Sequence, residues 1–501
     1  TGVQDDPETL ETLSIMGFKN TSGISSQIRS WHSGRFPAMR SPRARELLTQ
    51  LVPAILENLS QTLDPDFAFA RFHDFLAGLP MGVQLFSLFQ ANPKLLSLIA
   101  DIVGTAPRLS GLLARQPVML DTLLDKTTLD VPDYNLHHLK QSLSGRIDSV
   151  SDFEGQLDVM RVWAREQAFQ VSTRVLATGI TPDMAAGFFT DIATACVQTG
   201  VEIVRDDIRR QHGSIEGGEW AVIGMGKFGS REMSAASDLD LIMICDAPDF
   251  STLSDGPKPL VADQYYARMA RRLLATLTVP TSEGALFEVD TRLRPSGQAG
   301  ALISKRSSFE VYQAEDAWTW EHMALTRARP IAGSNDLLNA LNTIIQATLS
   351  RQRDKAEILA DVQKMRLRMT QSFPGDKMWD LKYAAGGLVD MEFIAQALFL
   401  CHAHHHDVLI PGTIPDIYAA LKKINVLSVA HEAQLRESWM FQSALNQVLK
   451  LCLTGLPKEG FPKALETLLC QTVNLPSFDR VEAEIISHRK VVRGLYETYL
   501  S

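Results

Sequence analysis

The stretch EWAVIGMGKFGSREMSAASDLDLIMICD, Glu219 to Asp246, holds two patterns that point to different folds. Gly224, Gly226 and Gly229 spell G-x-G-x-x-G after an apolar run, and Asp246 closes the next apolar run where a dinucleotide fold would place its ribose-binding acid. The same residues contain Gly229-Ser230 followed by Asp238-x-Asp240, which suggests nucleotidyl transfer. Spacing decides between them. A dinucleotide-binding helix needs about ten residues to run along its sheet before the next strand. Only SREMSAAS, short and serine-rich, separates Gly229 from Asp238. A P-loop is excluded because phenylalanine, not serine or threonine, follows Lys227.

The acids explain more. Asp238 and Asp240 stand two apart at the head of an apolar β-run, so their side chains share one face while Leu239 and Leu241 point into the core. Carboxylates about 6–7 Å apart on such a face suit a pair of hard, oxygen-seeking Mg²⁺ ions. Downstream, FEVDTRLRP predicts a strand on which Asp290, Arg292 and Arg294 alternate with Val289, Thr291 and Leu293, one polar face over one apolar face. A lone D-x-D is more often a solvated turn, and R-x-R on a strand is usually a surface face. The coincidence of Gly-Ser, D-x-D, a later strand acid and two same-face arginines outweighs both bland readings. This combination resembles the polymerase-β-type nucleotidyltransferase fold, in which the Gly-Ser turn offers backbone amides to a triphosphate.

Around this core the 501 residues have an ordinary globular balance, 45% hydrophobic and 21% charged. A net charge of −9 argues against sequence-independent nucleic-acid binding and against a membrane-surface role. The five cysteines are scattered without C-x-x-C spacing and read as small core hydrophobes in a reducing, cytoplasmic setting. No signal peptide opens the chain and no apolar run reaches transmembrane length. A chain starting on Thr1 rather than methionine is expected to be a piece of a longer one.

The expected organisation is α+β and mostly helical. A helical segment spans 1–133, a nucleotidyltransferase domain 134–335 and a C-terminal helical bundle 336–501. SPRARELLTQLVPAILENLSQ carries a serine cap, NPKLLSLIADIVG a glycine stop, and PRLSGLLARQPVMLDTLLD continues the pattern before the turn-rich KTTLDVPDYN. Strands are expected at WAVIGMG, LDLIMICD and ALFEVDTRLRP, with a helix from Ala262 to Thr278 and helices again after ARPIAGSND.

GMGKFGSREMSAASDLDLI, EVDTRLRPSGQAGALI, YQAEDAWTWEHMALTRARPIAG and KYAAGGLVDMEF, in that order, resemble the motifs of the glutamine synthetase adenylyltransferase family. SWHSGRFPAMRSPRARELL and LPMGVQLFSLFQANPKLL resemble the segment joining the two modules of that enzyme, so the likeness covers nearly the whole chain. Its VDTRLRPSG and AWTWEHMAL are more similar to the C-terminal, adenylylating module than to the N-terminal one, which removes AMP by phosphorolysis.

The resemblance implies ATP as substrate, two Mg²⁺ ions, and glutamine synthetase as target, with PII signal protein and glutamine as effectors. It implies Asp238, Asp240 and Asp290 as metal-binding, catalytic acids and Gly229 and Ser230 as the triphosphate turn. Lys227, Arg292 and Arg294 would be supporting cations. Glu321, Lys382, Asp390 and Glu392 follow as further site residues, though Glu321 also reads as an orienting acid for Arg327 or Arg329, and Asp390 and Glu392 as an acidic helix start. Trp318 and Trp320 could stack on adenine or organise the site, but aromatic residues near a helix start are more often core, which is the expectation here. The histidines His402, His404, His405 and His406 match no standard zinc spacing and are expected on the surface.

Overall fold

The computed structural model describes residues 6–113 and 135–500, apart from positions 63, 80, 92, 107, 108, 111, 112, 177, 178, 376, 454, 456–459 and 462. Most of PRLSGLLARQPVMLDTLLD, and all of KTTLDVPDYN except Asn135, lie outside the described residues. What is described is mostly helical with one small mixed sheet, an α+β composition. It divides into two compact units. One comprises Thr1–Pro132, Phe169–Thr181 and Gln447–Val481; the other comprises Asp133–Ala168, Pro182–Asn446 and Glu482–Ser501.

The first unit is built on an aliphatic and aromatic helical core. Ser41 accepts the Ala44 N–H at 3.1 Å and caps the helix Pro42–Ser60, whose Leu47, Leu48, Leu51, Ile55 and Leu59 are buried at helical spacing. Trp31 stacks on Phe69 of the helix Pro65–Gly78, ring centroids 5.3 Å apart. The glycine stop expected in NPKLLSLIADIVG does not operate, because the helix Pro93–Thr105 runs through Gly104. A Cβ there would stand 3.3 Å from Thr62 and 3.6 Å from Ala68, so this glycine serves close packing instead.

The second unit holds the sheet. Strands β1 (Glu219–Met225) and β2 (Leu239–Asp246) pair antiparallel. The short β3 (Val289–Asp290) and β4 (Ile303–Lys305) both lie parallel to β2, and β5 (Arg329–Gly333) runs antiparallel to β1. The order is β3-β2-β1-β5, with β4 also on β2. Alternate residues Ala221, Ile223 and Met225 of β1 and Ile242 and Ile244 of β2 enter one core with Phe309, Leu341, Ile345 and Ile394. The helix Ala262–Thr278 forms over the expected span and buries Tyr265, Tyr266, Met269, Leu273 and Leu277.

Two strands escape the sequence pattern. β4 is too short to show alternation, and β5 contains Pro330, which reads as a break. Pro330 is tolerated because β5 is an edge strand whose pairing with β1 shifts register between Val222 and Ile223. Among the described residues no helix is long and apolar enough to cross a membrane.

Candidate active site

The end of β1 turns at Gly226, whose φ of +52° is a conformation that glycine adopts freely. A Cβ at Gly226 would lie 2.4 Å from an Asp240 carboxylate oxygen, so the missing side chain is what lets the turn lie against that acid. A short helix, Gly226–Gly229, follows. At Gly229 a Cβ would stand 1.9 Å from the Arg327 carbonyl oxygen and 2.5 Å from that of Gly224. Only glycine fits.

Strand pairing gathers the acids. Asp240 is in register with Asp290 across the parallel β2–β3 ladder, and Asp238 immediately precedes β2. The three side chains each present a carboxylate oxygen within 4.8 Å of the others, the one such group of potential metal ligands among the described residues. Burial, then the charges of Asp238 and Asp290, push Asp240 up to about 7. An all-oxygen set with an excess of negative charge fits a hard divalent cation.

The arginines behave differently from a strand-borne pair. β3 stops at Asp290 because its carboxylate accepts the Arg292 backbone N–H at 2.8 Å, an Asx-type turn that ends the alternation. Arg292 also reaches Asp290 with its Nε at 2.8 Å, and this charge-assisted contact holds Asp290 below the usual carboxylate range. Arg294 points its guanidinium into its own loop, donating to the carbonyl and hydroxyl oxygens of Thr291 at 2.7 and 2.9 Å and to the Ala301 carbonyl at 3.1 Å.

Ser230 is buried, and its hydroxyl is engaged by Glu232 and Arg327. It donates to Glu232 at 2.5 Å and accepts from Arg327 Nε at 3.0 Å and Nη2 at 2.9 Å. Arg327, 5% exposed, also pairs with Glu232 at 2.8 Å and Glu392 at 2.9 Å. Burial opposes its charge, but Glu392 and Glu232 outweigh that and raise its pKa. Lys227 lies in the field of the same two glutamates, with burial pushing its pKa down. Lys382 belongs to the turn before the helix Leu388–His402, its Nζ 4.8 Å from the Tyr383 ring centroid. Burial works against its charge, and Tyr383, Glu392 and Asp238 prevail to raise its pKa.

Two acids stand apart from this cluster. Asp390 is fully buried, paired with Arg366 and accepting the Gly386 N–H at 2.7 Å, which shapes the glycine turn. Glu321 accepts the Trp318 N–H and the Tyr312 hydroxyl, both at 2.9 Å, and so caps the helix Thr319–Leu325 instead of orienting Arg327 or Arg329. Trp318 and Trp320 are 70% and 40% exposed, not core. His404 and His405 are exposed. Sequence reasoning passed over Glu232 and the central place of Arg327, since neither sits in a local pattern with its partners.

Fold and site together define an α+β protein with a carboxylate trio, suited to a divalent cation, beside a glycine turn. Residues 96–344 match the family model described as glutamate-ammonia ligase adenylyltransferase. The chain is 41% identical over 501 residues to the bifunctional glutamine synthetase adenylyltransferase/adenylyl-removing enzyme of Brucella suis, covering 99% of this chain and 50% of that protein. The same-named proteins of Mesorhizobium japonicum and Agrobacterium fabrum are 40% and 41% identical, over 100% and 99% of this chain and 50% of theirs. The chain is therefore a homologue within the glutamine synthetase adenylyltransferase family and spans about half the length of the curated relatives it matches.

Proposed function

We propose that this chain is the C-terminal, adenylylating module of such an enzyme, with a polymerase-β-type core in the nucleotidyltransferase domain at 134–335. It transfers AMP from ATP to a tyrosine hydroxyl of glutamine synthetase and releases pyrophosphate. The observation that carries this is the convergence of Asp238, Asp240 and Asp290 against Gly226.

In the reaction the tyrosine oxygen forms a bond to the α-phosphorus while the bond from that phosphorus to the β-phosphate oxygen breaks. Asp238, Asp240 and Asp290 would hold Mg²⁺, two ions in all, which supplies charge neutralisation at the phosphates and acidifies the attacking hydroxyl. Asp290 takes the phenolic proton once Arg292 has moved from it onto the triphosphate. Lys382 and Lys227 add positive charge for the leaving pyrophosphate. Gly229 and Ser230 shape the triphosphate turn through their backbone, the Ser230 hydroxyl being engaged elsewhere. Arg294 braces the loop that carries Arg292. Glutamine synthetase is the partner, PII signal protein and glutamine the effectors, and the cytoplasm the setting.

A second reading is phosphorolytic removal of AMP by the same site. It is favoured by one fact: the relatives are named for both activities, and this chain spans half of each. The test follows label from α-³²P-ATP with Mg²⁺ into purified glutamine synthetase. Labelled target supports adenylylation. Release of ADP from pre-modified target in the presence of phosphate, without labelling in the forward assay, would replace it with the second reading.

A further inference from the structure

The Gly226–Ser230 turn is held from inside by residues that enter β5. Arg327 supplies two fork contacts to the Ser230 hydroxyl, and its own carbonyl oxygen occupies the space a Gly229 side chain would need. Arg329, two residues on, donates Nε to the Gly229 carbonyl at 3.0 Å and Nη2 to the Phe228 carbonyl at 3.3 Å, with its guanidinium 6.0 Å from the Phe228 ring centroid. A trans peptide is planar, so fixing the Phe228 and Gly229 carbonyls fixes the orientation of the N–H groups in the same peptides.

The turn needs this support. It also lines a cleft of about 610 Å³ bounded by Ala328, Gln346, Pro411 and Thr413, so the hold on its carbonyls comes from side-chain hydrogen bonds and not from close packing alone. Both guanidiniums are committed. Arg327 is held between Glu232 and Glu392, so its fork cannot rotate away without leaving two half-buried carboxylates without their guanidinium.

We infer that Arg327 and Arg329 act as a paired clamp, positioning residues that set the backbone of the Gly226–Ser230 turn for a nucleoside triphosphate. This deepens the nucleotidyl-transfer reading above and rests on it. The clamp contacts no acid of the trio. Asp240 and Asp290 are placed by β2 and β3, so loss of the clamp separates nucleotide binding from metal binding.

The experiment uses the full chain and two direct binding probes. Affinity for α,β-methylene-ATP with Mg²⁺ is measured by calorimetry, and Mn²⁺ binding without nucleotide by electron paramagnetic resonance. The variants are Arg329→Lys, Arg327→Lys and the charge-balanced double change Arg327→Gln with Glu232→Gln. Thermal melting confirms folding. If Arg327→Lys does not fold, Arg329→Lys and the double variant still decide.

Folded variants are expected to bind the nucleotide analogue about tenfold more weakly, the scale of losing a charge-assisted contact that sets a site. Mn²⁺ affinity should stay within about twofold, because the strand-held acids are untouched. Unchanged nucleotide affinity would overturn the clamp while leaving the function standing, as would an equal loss of both affinities. A native chain that binds Mn²⁺ but no nucleotide would overturn the proposed function and the clamp together.

Discussion

Two charged clusters meet at opposite ends of one turn and differ in how their charge is settled. At Gly226 three carboxylates converge, with Arg292 on Asp290 the contact that offsets them. At Ser230 two glutamates share the guanidinium of Arg327 and the field of Lys227, in a set whose hydrogen bonds close on one another. The first cluster sets three carboxylates against one guanidinium and is half open; the second sets two carboxylates against Arg327 and Lys227 and is largely closed. Completed buried charge rigidifies, whereas incomplete charge waits for a ligand. The contrast favours the proposed chemistry for the acids and mechanical support for the arginine set, even though both lie in motifs that looked equally functional as sequence.

The largest break in that comparison is Asp240→Asn. Transfer of label to glutamine synthetase should fall by about a thousandfold or more, since charge stabilisation at phosphate is the main catalytic term. The same variant should melt about 1–3 °C higher at pH 8, because it relieves like-charge crowding. A lower melting point would mean that Asp240 is structural. Gly229→Ala attacks the join between the clusters. A Cβ 1.9 Å from a backbone oxygen forces the turn off β5, so unfolding in urea should show a loss of about 3 kcal/mol. Wild-type stability would contradict the close approach at Arg327.

A smaller effect comes from His322, whose imidazole lies between the Gln313 carbonyl at 3.0 Å and Arg353 at 3.3 Å. Burial, then the neighbouring Arg353, lowers its pKa to about 4. The unfolded chain protonates His322 near 6.5, so between these values it binds more protons than the folded one and stability falls on acidification. The contribution is fully present above pH 6.5. Melting between pH 7 and 4.5 should therefore decline less steeply in His322→Gln, by up to one proton's worth of slope. An identical slope would show that His322 is not protonation-restricted.

Much of this site was legible because it is local. The glycines, the D-x-D pair and the strand start all follow from spacing within Glu219–Asp246, and the later acid of VDTRLRP pairs in register with Asp240. The end of β3 was not legible, since alternation continues through Arg294 while one side-chain hydrogen bond to the Arg292 N–H stops the strand. Arg327 and Glu232 lie 95 positions apart, and periodicity says nothing about which buried charges meet across such a distance. Glu321 and Asp390 looked functional because acids in family-like motifs do; a helix cap and an Arg366 partner account for them locally.

The parallel pairing of β2 with β3 has a consequence for the order of assembly. Asp238 and Asp240 come with the antiparallel β1–β2 pair, close in sequence, while Asp290 needs the longer crossover through the helix Ala262–Thr278 that lays β3 beside β2, a pairing of higher loop-closure cost. A divalent ion held by all three acids, as proposed, would therefore recognise completed topology. Its binding would add stability to the closed crossover alone, by mass action, and leave a half-formed sheet no more stable than before.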